Sequence, residues 1–117
     1  MKCRDLGVWR RAVDLSSEIY LVLAELKDFG FRDQITRSGL SVPSNIAEGI
    51  ERISDRETMR FLDIARASVA EVQTQIYVGM NISYIEKTTG ERWIVELDEI
   101  SRMITGLIKN IKRNLQD

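Results

Sequence analysis

Arg52, Arg56 and Arg60 stand four residues apart and are the first group in the sequence whose type and spacing could do chemistry. If the turn before Ser54 continues the helical rise, they make a short basic stripe, and guanidinium forks suit phosphate oxygens. Glu48, Asp55, Glu57 and Asp63 are close enough in sequence to neutralise that stripe, and a charge run on a helix is usually a solvated face. A second basic group is divided between the ends of the chain. Lys2, Arg4, Arg10 and Arg11 are opposed only by Asp5, and Arg102, Lys109, Lys112 and Arg113 only by Asp117. In an antiparallel bundle the start of the first helix lies near the end of the last, so these clusters share a pole that a symmetric ring would repeat into a larger positive surface. Basic residues in a last turn are also what the helix dipole favours.

Catalysis has little to build on. The 117 residues include no histidine, which removes the commonest general base and the commonest metal ligand. Asp98 and Glu99 are adjacent carboxylates, but neighbours on a helix point about 100° apart and do not converge on one ion. No glycine-rich phosphate loop is present. Cys3 is the only cysteine, so no intramolecular disulfide can form, which suits a reducing cytoplasm. The expectation is a cytoplasmic protein that is not an enzyme and has no cofactor, no metal, no membrane span and no small-molecule substrate. A net charge of -1 speaks against general nucleic-acid affinity, although a local patch stays open.

The elements that would carry these residues are helices. Val8, Ala12, Leu15, Ile19, Val22 and Leu26 alternate at spacings of four and three, which puts them on one helical face, with Asp5 as a fair N-cap. Trp93, Leu97, Ile100, Ile104, Leu107 and Ile111 repeat the spacing, with Thr88 and Glu91 as a capping box. Ser54 and Glu57 make a second box ahead of Leu62, Ala65, Val69, Val72 and Ile76, in a helix predicted to run to about Ser83. Residues 29–52 carry Phe31, Ile35, Val42, Ile46 and Ile50 around Pro43, which removes a backbone donor and crowds the carbonyl of Gly39; the spacing predicts a kinked helix, not a loop. Connections near 27–30, 53–55 and 85–89 are short enough to join antiparallel neighbours. Residues 1–117 therefore read as one all-α domain, an antiparallel up-down-up-down four-helix bundle.

The run QITRSGLSVPSNIAEGIER, residues 34–52, resembles the signature of the 23S rRNA intervening-sequence protein family. RDLGVWRRAVDL, residues 4–15, looks like the family's entry to its first helix, and residues 61–75 look like its F-L-x-I-A stretch. The resemblance implies a four-helix bundle that commonly assembles into a homopentameric ring, encoded in some bacteria within insertions of the large ribosomal RNA gene. Related bundles are accessory proteins to the reverse transcriptase of diversity-generating retroelements and contact polymerase and nucleic acid through basic surfaces. The resemblance implies no activity.

Within the signature, Ser38, Gly39, Ser41, Ser44, Ala47 and Gly49 are small enough to let backbones approach closely. Asn45 and Glu48 are expected to serve structure, satisfying backbone groups freed by Pro43 or pairing with an arginine, and Glu48 with Arg52 has ordinary i,i+4 spacing. Trp9 and Tyr20 fall on the flank of the first apolar stripe, where a neighbouring subunit would cover them. Two readings follow: a self-assembling interaction protein that binds itself and a protein partner, or an accessory protein that contacts structured RNA or a reverse transcriptase through Lys2, Arg4, Arg10, Arg11, Arg56, Arg60, Lys109, Lys112 and Arg113.

Overall fold

The computed structural model describes residues 3–116. A 3-10 turn at Cys3–Asp5 leads into four helices, α1 (Gly7–Val22), α2 (Phe29–Ile50), α3 (Asp55–Asn81) and α4 (Lys87–Gln116). Their residues pair in antiparallel register. Ser38 meets Glu71 and Ser41 meets Ser68 across α2 and α3, Arg66 meets Thr105 and Gln73 meets Asp98 across α3 and α4, and Arg11 meets Glu96 across α1 and α4. Each helix packs on the ones before and after it, and α4 closes back on α1. The core between them is built from the apolar stripes, with Ile19, Ile46, Leu62, Ile76, Trp93 and Ile104 all buried.

Helix starts follow from what each preceding residue can offer the first turn. Ser54 caps α3 by accepting from the Glu57 backbone N–H at 3.1 Å, while the Glu57 carboxylate accepts from Arg60 at 2.7 Å. Asp28 caps α2 by accepting from Phe31 N–H at 3.1 Å. Two expected caps are not formed. Asp5 sits in the 3-10 turn and Leu6 takes the cap position of α1, because Leu6 is buried and its N–H is tied back to the Cys3 carbonyl. At the other end of the chain, α4 starts at Lys87, so Thr88 is already inside the helix, and the Glu86 carbonyl accepts from Gly90 N–H at 2.8 Å.

α3 stops at Asn81, slightly before Ser83, for a stereochemical reason. Ser83 has φ 65, and the next N–H, of Tyr84, returns to the Gly79 carbonyl at 2.8 Å while Ser83 N–H reaches Met80. This left-handed closure turns Ile85 into the core. Gly79 is required there, since a Cβ on it would lie 2.5 Å from Ile85 Cδ1. α2 passes through Pro43 without a loop, as the spacing predicts.

Candidate functional site

Helical phase gives each seam of the bundle its own chemistry. On α1, Val8, Ala12, Leu15 and Ile19 face the core. Arg11, Asp14 and Glu18 turn to one side, where with Leu15, Arg92, Val95 and Glu96 they line an open cleft of about 510 Å³ against α4. Arg11 reaches Glu96 in a two-point contact, Nε at 2.9 Å and Nη2 at 2.6 Å, and Arg92 makes a two-point contact with Glu18. Both carboxyls are held below the usual glutamate range by these guanidinium hydrogen bonds, against an opposing desolvation effect. The Trp93 indole N–H is buried and makes no hydrogen bond of normal geometry, but it lies near enough to Glu18 to add to that lowering.

The other flank of α1 carries Trp9, Val13, Ser16 and Tyr20 and turns toward α2, where Ser16 and Ile19 approach Gly39. The matching flank of α2 carries Thr36, Leu40, Pro43 and Ala47, opposite in phase to Ser38, Ser41 and Asn45, which face α3. None of these eight flank residues is charged, in a chain that is 30% charged. Tyr20 and Leu40 remain 45% and 47% exposed, and Trp9 is half-buried, so the sequence reading of Trp9 and Tyr20 as flank residues holds.

The signature motif places some of its residues in the packing between helices and leaves others exposed. Asn45 donates through Nδ2 to the Ser41 carbonyl at 2.8 Å and to Ser41 Oγ at 2.9 Å, two residues beyond the Gly39 carbonyl that Pro43 leaves without a helical donor. Glu48 is exposed and pairs with Arg52 at 2.8 Å. Gly49 is buried, and a Cβ there would sit 3.1 Å from the Thr58 carbonyl and 3.2 Å from Phe61 Cβ. Thr58 Oγ1 donates to the Gly49 carbonyl at 2.8 Å and so ties the last turn of α2 to the first turn of α3. Pro43 is buried and Ser44 is exposed. A polar cleft of about 560 Å³ between α2 and α3 holds Gln34, Arg37, Ser38, Ser41, Ser68, Glu71 and Gln75. Sequence reading did not single it out, although Ser38 and Ser41 on one flank of α2 were the available signal.

The basic residues are regrouped. The stripe through Arg52, Arg56 and Arg60 is broken, because residues 51–54 leave the helix and Ser54 is extended at ψ 142. Arg52 and Arg60 each place a guanidinium 4.5 Å from the Phe61 ring centroid. Arg60 also lines, with Arg56, Arg66 and Lys112, a groove of about 420 Å³ between α3 and α4, together with Met59, Asp63 and Ile108. The shared pole forms in part. Arg113 lines a cleft with Leu6, Gly7 and Val8, Arg4 is exposed in the 3-10 turn, and its carbonyl accepts from Arg10 at 2.7 Å. Arg11 does not belong to that pole, since Glu96 holds it on the α1/α4 seam. Lys109 is exposed on α4, and Lys2 and Asp117 fall outside the described residues.

Among the described residues no group of three His, Cys, Asp or Glu is placed to hold a metal, and no helix is long and apolar enough to cross a membrane. The model of the 23S rRNA-intervening sequence protein family matches residues 4–106, from the 3-10 turn into the second half of α4. The chain belongs to that family. A crystal structure of a protein of unknown function from the S23 ribosomal protein family of Bacteroides thetaiotaomicron is 26% identical to this member and superposes with a TM-score of 0.81, over 87% of this chain and 98% of that one. None of the curated proteins matches. The intervening-sequence family is therefore represented here by a helical bundle for which neither comparison indicates an enzyme.

Proposed function

We propose that this member of the intervening-sequence family is a non-enzymatic, cytoplasmic, self-associating interaction protein that presents a ring of identical bundles to a protein partner. The observation that carries the reading is the uncharged α1/α2 face, with Tyr20 and Leu40 about half exposed beside Val13, Pro43 and Ala47. Aromatic and aliphatic side chains without charge are what the fully buried centre of an interface contains, and a helix pair covered on this face by a second copy hides them from water. The resemblance implies a pentamer. Light scattering on the purified protein as it leaves a sizing column tests this. The expected mass is a multiple of the chain mass, near five chains, and Leu40→Glu with Tyr20→Glu is expected to yield a folded monomer. A wild-type monomer overturns the reading.

A second reading, an accessory protein that contacts structured RNA or a reverse transcriptase through basic surfaces, draws on one feature. α4 from Ile100 to Gln116 contains Arg102, Lys109, Lys112 and Arg113 and no acidic residue, whereas the first half of the same helix holds Glu91, Glu96, Asp98 and Glu99. Absorbance at 260 nm recorded with the scattering separates the two readings.

A further inference from the structure

We infer that the groove between the first turns of α3 and the last turns of α4 is a binding site for the phosphodiester backbone of a nucleic acid. The inference rests on the second reading above and narrows it from a basic surface to one set of residues. Two groups of cations far apart in sequence meet here. Arg56, Arg60 and Arg66 come from α3 and Lys112 from α4, around a floor of Met59 and Ile108.

Their states differ in a way that suits an anion. Glu57 holds Arg60 at 2.7 Å and Asp63 holds Arg66 at 2.6 Å, so those two guanidiniums are set in place by their own helix. Arg66 also donates to Thr105 Oγ1 at 3.2 Å across the seam, which fixes α3 against α4 at this level. Arg56 and Lys112 face each other across the groove with no ion-pair partner among the described residues. An arginine and a lysine on opposite walls, neither ion-paired to a described residue, provide a planar fork and a point charge for tetrahedral phosphate oxygens. Among the described residues the α4 wall adds no carboxylate, because Ile100 to Gln116 has none, and Lys109 lies about one turn before Lys112 on the helix, whereas Arg113 lines the cleft with Leu6, Gly7 and Val8. A second phosphate along a chain therefore meets further positive charge. Among the described residues Asp63 is the one carboxylate lining the groove, and it is engaged by Arg66.

Why a backbone and not a base follows from the same residues. None of the residues lining the groove is aromatic; Phe61, outside that lining, has the Arg52 and Arg60 guanidiniums 4.5 Å from its ring centroid, so its face is already covered. Binding through phosphates alone is sequence-independent and falls with salt at a slope set by the number of phosphates contacted.

The test measures fluorescence anisotropy of labelled RNA and DNA hairpins of one sequence against the full chain, from low to physiological salt, for the wild type, for Arg56→Glu with Lys112→Glu, and for Lys87→Glu. Lys87 is exposed at the opposite end of α4, roughly 37 Å away at 1.5 Å per residue, and Lys87→Glu shifts the net charge by two, as each single groove substitution does, so it controls for charge change per substitution. The expected result is salt-dependent binding by the wild type, weakened about tenfold or more by Arg56→Glu with Lys112→Glu, with a shallower salt slope, and little changed by Lys87→Glu. The two hairpins identify which nucleic acid is preferred. Binding that survives Arg56→Glu with Lys112→Glu overturns the groove but leaves the accessory reading standing. Equal weakening by Lys87→Glu overturns the groove in favour of diffuse attraction, and no binding by the wild type at low salt overturns both. Both groove positions are exposed, so circular dichroism of that variant is expected to match the wild type.

Discussion

α1 is held on its two flanks by different physics. Toward α2 it turns the uncharged flank of Trp9, Val13, Ser16 and Tyr20, and the glycine at position 39 lets α2 approach Ser16 and Ile19 closely. Toward α4 it keeps an open cleft spanned by Arg11 with Glu96 and Arg92 with Glu18. Burial of apolar surface is not weakened by charge screening, does not titrate, and is intolerant of added volume. Exposed ion pairs are the reverse, and Arg11 and Glu96 keep 39% and 31% of their side-chain surface in water. One helix thus carries a rigid flank and a tunable one.

The largest expected effect comes from overfilling the rigid flank. Gly39→Leu is expected to lower stability by about 1–3 kcal/mol in urea denaturation. Gly39→Ala, whose Cβ would lie at an ordinary 3.6 Å from Ile19 Cδ1, is expected to raise stability by up to about 1 kcal/mol through helix propensity. Destabilisation by the alanine would mean that the flank is already filled and would erase the contrast.

Acid should act on the other flank. Glu18 and Glu96 titrate lower in the fold than in the unfolded chain, so the stability they lend is complete above the ordinary glutamate pKa of about 4.3 and is lost as pH falls through their lowered values. With no histidine, little change is expected between pH 6 and 8. Hydrogen exchange followed from pH 6 downward is expected to show protection of α4 near Arg92 and Glu96 falling before that of α2 near Gly39. A simultaneous loss would show that the two flanks are not separable. The smallest effect is that of a single pair: a double-mutant cycle of Arg11→Ala and Glu96→Ala is expected to give a coupling of roughly 0.2–1 kcal/mol that shrinks at high salt. A larger value would place the Arg11 contact among buried pairs.

Much of this arrangement was legible in the sequence and some was not, for reasons that particular residues make plain. The apolar stripes of α1, α3 and α4 identify the core because a helix with a 3.6-residue period must bury what repeats at three and four. Ser54 was legible as a cap because its hydroxyl has one nearby use. Thr88 misled because its type is right but the phase is set from outside: the left-handed Ser83 and the burial of Ile85 fix where α4 can begin. The broken arginine stripe misled for a related reason, since the extended Ser54 sends Arg52 and Arg56 to different surfaces. Charge counting also grouped Arg11 with its neighbours, but its partner lies 85 residues away on α4 and no local pattern announces it. The groove of Arg56, Arg60, Arg66 and Lys112 exists only once α3 and α4 are packed.

The order in which the bundle assembles follows from its connections. The segments at 23–28, 51–54 and 82–86 are short, so α1 with α2, α2 with α3 and α3 with α4 can meet as local hairpins, each at the small entropic cost of a tight loop. The Thr58 hydroxyl on the Gly49 carbonyl reinforces the middle one across only nine residues. The α1/α4 seam must wait for nearly the whole chain to be gathered. A topology with so many near-neighbour contacts is expected to fold fast, with the charged seam the last to close and the first to open.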